Sequence, residues 1–188
     1  MKFKLNVSQI MPIIVAPPET SLIIDTVIFS HLRNEKPYVQ KQIAIYFSNT
    51  KKLPAISSMT VFEANIGIEE QLTLNNITEE QAETYRKAID DCLENYIDTV
   101  LPFDTKAAEI AAYIYPRLLK YEAKELKKRK EKRKKKENRE NKIWQDVFII
   151  STALAHNYGL ATPDKDVELI AKHLPNDYKY LRVAVWKP

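Results

Sequence analysis

Asp25, Glu63, Asp146 and Asp164 share one placement: each stands where a hydrophobic run stops or a helix begins. Acids so placed can converge from distant stretches of chain, because an open parallel α/β sheet collects ligands in the crevice outside the carboxyl ends of its strands. Convergence carries a cost. Two carboxylates about 5 Å apart repel by roughly 3 kcal/mol at an effective dielectric of 20, so four together require protons or cations to neutralise them. Oxygen-only ligands select hard cations such as Mg²⁺ or Mn²⁺. The pattern therefore points to a divalent-cation site.

Each acid also has a plainer explanation. Asp25 follows Leu22-Ile23-Ile24, at the end of a strand expected to be central, and could equally cap the helix that starts at VIFSHL. Glu63 completes Thr60-Val61-Phe62-Glu63, the spacing of a capping box. Asp146 opens the apolar helix DVFIISTALAH, where the helix dipole stabilises a first-turn acid by about 0.3–1 kcal/mol. Asp164 stands beside Pro163 as a loop aspartate can, and Asp166 could cap VELIAKHL. Asp104, before TKAAEIAAYIY, is best read as an N-cap and is left outside the site. The four acids argue as an ensemble.

The elements that must position them alternate. TSLIID reads as a strand running into a helix; YVQKQIAIYFSN is a helix; KKLPAISSM is a second buried strand leading into the helix TVFEANIGIEEQL. Thr78 and Gln81 have capping-box spacing at the head of a helix that continues to about Tyr96. IDTVLPF is a third strand, followed after Asp104 by a long helix in which Pro116 predicts a kink or break. QDVFIISTALAHNYG is helix, GLAT a fourth strand, DVELIAKHL a helix and YLRVAVW a closing strand. This rhythm predicts an α/β fold: a central, mainly parallel sheet with helices on both faces.

At 188 residues, 45% hydrophobic and 29% charged, the chain has the size and polarity of one globular domain. Residues 20–188 are expected to form it, after an N-terminal extension over 1–19. Cys92, the single cysteine, reads as a small apolar helix residue and excludes an intramolecular disulfide. The N-terminal segment is too short in its apolar part, and too interrupted by Pro12, Pro17 and Pro18, for a secretory leader. No apolar run reaches the 18 or so residues that span a bilayer. The expectation is a cytoplasmic protein with no membrane partner.

Four stretches, SLIIDT, AISSMTVFEA, VLPFDTKAAEIAAYI and QDVFIISTALAHNYGLATPDKD, resemble the successive landmarks of the PIN-domain family in its VapC-type toxin branch, over about residues 20–170. The resemblance implies a three-layer PIN-like domain that cuts RNA with one or two Mg²⁺ or Mn²⁺ ions. It implies Asp25, Glu63, Asp146 and Asp164 as the metal-binding and catalytic quartet, Asp166 as an auxiliary acid, and Thr26 and Thr162 as supporting hydroxyls. It also implies the partners of a type II toxin–antitoxin module: a small antitoxin whose C-terminal segment covers the acidic cleft, and a second copy in a homodimer. Two departures stand out. Val27 occupies a position that is usually polar, and Asn141-Lys142-Ile143-Trp144-Gln145 replaces a glycine-aspartate lead-in to the Asp146 helix. The chemistry is coherent without the family name: a divalent ion lowers the pKa of a bound water and offsets charge developing on the scissile phosphate, and two ions about 3.5–4 Å apart can clamp attacking and leaving oxygens. No histidine is needed, and His31, His156 and His173 lack ligand-like spacing.

Between Lys120 and Lys142 stand 13 lysines and arginines against five glutamates, a local charge of +8 in a chain of net +4. The rest of the sequence is thus net −4, and the basic character belongs to this insertion at about 120–143. One explanation is a solvated helix with Glu125–Arg129 and Glu131–Lys135 pairs at i,i+4 spacing. The other is an RNA-binding arm, with Lys127, Lys128, Arg129, Lys130, Arg133 and Lys134 on phosphates, that brings a polyanion to an acidic centre. No aromatic residue interleaves with these charges, so base stacking by the arm is not expected. Two rival functions follow. An aspartate-nucleophile phosphatase would need an acid where Val27 stands. A non-catalytic RNA-binding module would use the basic segment and leave the acids as caps.

Overall fold

The computed structural model describes the backbone of residues 20–128, 136–163, 174–178 and 180–187, and side chains over the same stretches apart from 121–128 and 136–143. Five short strands, β1 (Leu22–Ile24), β2 (Ala55–Ser57), β3 (Val100–Leu101), β4 (Gly159–Thr162) and β5 (Val183–Val185), form one sheet in the order β3-β2-β1-β4-β5. Every pairing is parallel, with Ile24 opposite Ile56 on one side of β1 and Ala161 on the other. A strand buried on both faces has no polar side to present, which is why LII and GLAT read as unbroken apolar runs.

Six helices cover the sheet among the described residues: α1 (Thr26–Arg33), α2 (Pro37–Thr50), α3 (Ser58–Thr73), α4 (Glu79–Tyr96), α5 (Thr105–Lys128) and α6 (Lys136–Ala155). The two-residue period of β1 divides the core. Ile23 points into a cluster with Ala107, Ile114, Val147, Ile150 and Leu160 under α5 and α6. Leu22 and Ile24 point the other way, to Ile28, Phe29, Leu32, Val39, Ile43 and Ile89 under α1, α2 and α4. Each of these fully buried aliphatic side chains contributes about 1.5–3 kcal/mol by leaving water. Helix α3 joins the two layers at one end: Met59 packs on the α5/α6 cluster, and Val61, Ala64 and Ile68 on the other.

Local rules account for most boundaries. The Thr78–Gln81 capping box is formed in both directions, and α4 ends at Tyr96 as its apolar spacing predicts. Asp104 caps α5, its Oδ1 accepting from the Ala107 N–H at 2.9 Å. Cys92 is buried on α4. Gly159 has no room for a side chain, since a Cβ there would lie 2.8 Å from Leu22 Cδ2 and 3.0 Å from the Arg182 carbonyl.

Three expectations about element boundaries are corrected. Helix α5 runs through Pro116, so of the kink or break expected there the break does not occur. Helix α3 begins at Ser58, capped by Ser57, whose Oγ accepts from the Met59 N–H at 3.2 Å; Thr60 is already inside the helix, so no Thr60–Glu63 capping box exists. Helix α6 begins at Lys136 within the charge run, so Asp146 lies ten residues inside it and not in its first turn. The expected helix DVELIAKHL lies outside the described residues, as do residues 129–135 of the basic segment. No described helix is long and apolar enough to cross a membrane.

Candidate functional site

The strand order reverses direction between β1 and β4, since the chain lays β2 and β3 on one side of β1 and β4 and β5 on the other. Ligand crevices form at the carboxyl ends of strands flanking such a point. Asp25 is the first residue beyond β1, and its N–H donates to the Ala161 carbonyl of β4 at 3.1 Å. Asp25 is 6% exposed and caps α1, with Oδ1 accepting from the Ile28 N–H at 2.7 Å. Capping and a place at the crevice thus coincide in one side chain. Its charge reaches Tyr38, whose phenol is held above its ordinary pKa first by burial and then by Asp25; the Tyr38 hydroxyl in turn hydrogen-bonds His31 Nδ1.

Glu63 arrives from α3. Thr26 Oγ1 donates to Glu63 Oε2 at 2.5 Å, tying residues 37 positions apart. The other oxygen, Oε1, is buried and has no hydrogen-bond partner among the described residues. Burial raises the Glu63 pKa above the ordinary carboxylate value, and the Thr26 hydroxyl partly opposes the rise. With the capping box gone, this carboxylate has no structural duty at the helix end.

Asp146 is half-buried on α6. Helix α6 turns back through Asn157, in the left-handed region at φ 59°, into β4 and so runs antiparallel to that strand. Nine residues of helix rise from Asp146 to Ala155, about 13 Å, against about 10 Å for β4 from Gly159 to Thr162. That span carries Asp146 toward the carboxyl side of the sheet. Thr162, fully buried, ends β4 and accepts from the Trp186 N–H at 3.0 Å through its carbonyl. Asp164 and Asp166 lie outside the described residues, as do the Arg129, Lys130, Arg133 and Lys134 positions of the arm. Lys127 and Lys128 end α5. Among the described residues no three His, Cys, Asp or Glu side chains form a group able to hold an ion. The donors that are described nevertheless fit a hard divalent cation: carboxylates, and in Glu63 Oε1 a buried acceptor with nothing to accept from. Of the histidines, His31 Nδ1 meets the Tyr38 hydroxyl, His156 Nε2 lies 3.1 Å from the Pro102 carbonyl and 3.5 Å from Asp104, and His173 lies outside the described residues.

A cleft of about 280 Å³ leads away from Thr26 and Glu63 between α1, α3 and the head of α4, with Ser30, Arg33, Gly67, Gln71, Ile77 and Tyr85 on its walls. Gly67 sits mid-helix, where glycine costs about 0.8–1.0 kcal/mol relative to alanine. No packing constraint explains it, because a Cβ there would meet nothing within 4 Å. Arg33, Gly67 and Tyr85 went unread in the sequence. The available signal was the glycine itself, one of only two in the chain and inside a helical pattern.

No family model matches the sequence, and no curated protein does either. Solved structures do match in fold. A chain of VapBC2 from Rickettsia felis, bound to a DNA fragment from their promoter, is 17% identical with a TM-score of 0.56, over 88% of this chain and 98% of that one. DNA-bound VapBC from Salmonella typhimurium gives 17% identity and a TM-score of 0.54 over 89% and 98%. FitAcB from Neisseria gonorrhoeae gives 18% and 0.51 over 87% and 96%. The chain therefore shares the fold of these VapBC and FitAcB chains, in agreement with the PIN-like α/β fold implied by its sequence landmarks.

Proposed function

We propose that the protein is a Mg²⁺- or Mn²⁺-dependent endoribonuclease and the toxin of a type II toxin–antitoxin pair. The observation that carries this reading is the Glu63 carboxylate, one oxygen held by Thr26 and the other buried without a partner among the described residues, near the strand-order reversal where Asp25 follows β1. A carboxylate desolvated without a cation is costly; a divalent ion offsets that cost and adds the chemistry the fold otherwise lacks.

Asp25, Glu63, Asp146 and Asp164 would hold the ion, with Asp166, Thr26 and Thr162 in support. When bound, it supplies an activated water and neutralises charge at the scissile phosphate. The chain's own residues do the positioning. Thr26 fixes the Glu63 carboxylate by its hydrogen bond, and the Ile28 N–H fixes Asp25. Lys127, Lys128, Arg129, Lys130, Arg133 and Lys134 would draw the RNA backbone to an otherwise repelling centre, with a log-salt slope of about 0.7 per phosphate of single strand. The VapBC and FitAB neighbours are complexes of two components, and a small antitoxin is the partner proposed for this chain, with a homodimer as its own assembly. Phe62 and Ile66, 49% and 40% exposed one turn apart on α3, offer apolar area for such a contact.

Incubating end-labelled RNA with purified protein in Mg²⁺ tests the reading. Wild type cuts and Asp146→Asn does not. Undiminished cutting by Asp146→Asn overturns the metal site, and RNA binding by wild type without any cutting returns the protein to the non-catalytic alternative. A small open reading frame beside the gene would supply the partner.

A further inference from the structure

We propose that the cleft running from Glu63 to Tyr85 is a subsite for the nucleotide adjoining the scissile phosphodiester, in which Arg33 holds a phosphate and Tyr85 stacks a base. This rests on the ribonuclease reading and extends it to substrate recognition. Thr26 and Arg33 are seven residues apart on α1, hence on one face and about 10 Å from each other. Glu63, Gly67 and Gln71 repeat every four residues on α3 and line the same cleft. The cleft is thus lined by one acid, Glu63, and one cation, Arg33, the charge order of a phosphodiester chain that enters a metal centre and leaves past an arginine.

Arg33 has the means to take a phosphate. Among the described residues no carboxylate pairs with it, whereas Arg86, next to Tyr85 in the sequence, engages three. Its guanidinium carbon stands 6.0 Å from the centroid of the Tyr85 ring, and that ring is 41% exposed. A guanidinium binds phosphate in a bidentate fork, and an exposed aromatic face accepts any base. Gly67 gives the ligand its space: a side chain there would touch no part of the protein and would project into room that a sugar and base can use. At about 280 Å³ the cleft is slightly smaller than typical drug-sized sites, which suits one nucleoside better than a folded peptide segment.

The test uses the whole chain and a short single-stranded RNA. Tyr85→Ala raises KM by about 5- to 100-fold, the loss of one stacked base, while kcat falls far less. Arg33→Ala raises KM and lowers the log-salt slope of binding by about 0.7; Arg33→Lys restores the slope but only part of the affinity, since an ammonium cannot reproduce the fork. Gly67→Ala raises Tm by about 2–4 °C and still raises KM, a combination that no folding defect can produce. Binding is read by anisotropy in a chelator, where nothing is cut. A wild type that fails to cut in Mg²⁺ therefore counts against the nuclease reading, while the salt slope still decides the subsite. Unchanged KM and an unchanged slope in Arg33→Ala and Tyr85→Ala overturn the subsite and leave the cleft to a protein partner.

Discussion

Two of the three glutamates of helix α3, Glu63 and Glu69, stand fewer than two turns apart and meet opposite fates. Glu69 is exposed and meets Arg86 at 2.7 Å, in a cluster where Glu79 and Glu83 reach the same guanidinium at 3.0 and 3.3 Å. Glu63 is drawn under cover, with Thr26 on one oxygen and, among the described residues, no partner on the other. The first brings its own cation, Arg86, from within the chain. At the second the Thr26 hydroxyl donates to one oxygen and, among the described residues, nothing answers the other; on the proposed reading a divalent ion does. An acidic cluster is informative about function when the chain itself leaves a buried oxygen unanswered.

The largest effect expected from this contrast is on activity. Glu63→Gln lowers RNA cutting in Mg²⁺ by about 10³-fold, the loss of several kcal/mol of transition-state stabilisation, whereas Glu69→Gln cuts as wild type does. Equal rates for the two variants would erase the distinction. Next comes ligand-linked stability: Mg²⁺ at about 100 times its Kd raises the Tm of wild type by about 5–10 °C and that of Glu63→Gln by much less, read by thermal melts with and without chelator. A Tm that ignores the ion in wild type removes the metal site.

The smallest effect sharpens the comparison through pH. Burial raises the folded-state pKa of Glu63, so in chelator the folded protein binds this proton more tightly than the unfolded chain does. Stability from this group is full below the unfolded carboxylate pKa and is lost as pH rises through the higher folded value. Glu63→Gln should then be more stable than wild type at pH 7 in chelator, with the gain vanishing towards pH 4. For Arg86→Ala the expected change is a slight fall in Tm that disappears in high salt, since all its partners are exposed. A gain from Glu63→Gln that does not depend on pH would show that lost charge is not its cause.

Much of the architecture was legible because its causes are local. The apolar runs of β1, β2 and β4, the Thr78–Gln81 box and the Asp104 cap each lie within a few residues of sequence. The misreadings have local causes too. Ser57 ends the strand and caps the helix at once, so Thr60 in a capping-box pattern was a coincidence of spacing. Charged helix formers extended α6 back from its apolar part, because lysine, arginine and glutamate cost a helix little. Pro116 was tolerated where packing of α5 on the core outweighs one missing N–H.

By itself the sequence determined the alternation of strand and helix, the two-faced burial of the central strands and which residues could serve as oxygen ligands, because side-chain period and capping chemistry act over short range. Tertiary structure alone decided that Thr26 meets Glu63 across 37 residues, that Glu63 Oε1 ends up buried with no partner among the described residues, and that Gly67 faces open space in a cleft it lines with Arg33 and Tyr85. Desolvation and cavity shape depend on what packs over a residue, and that is set by helices brought together from distant parts of the chain.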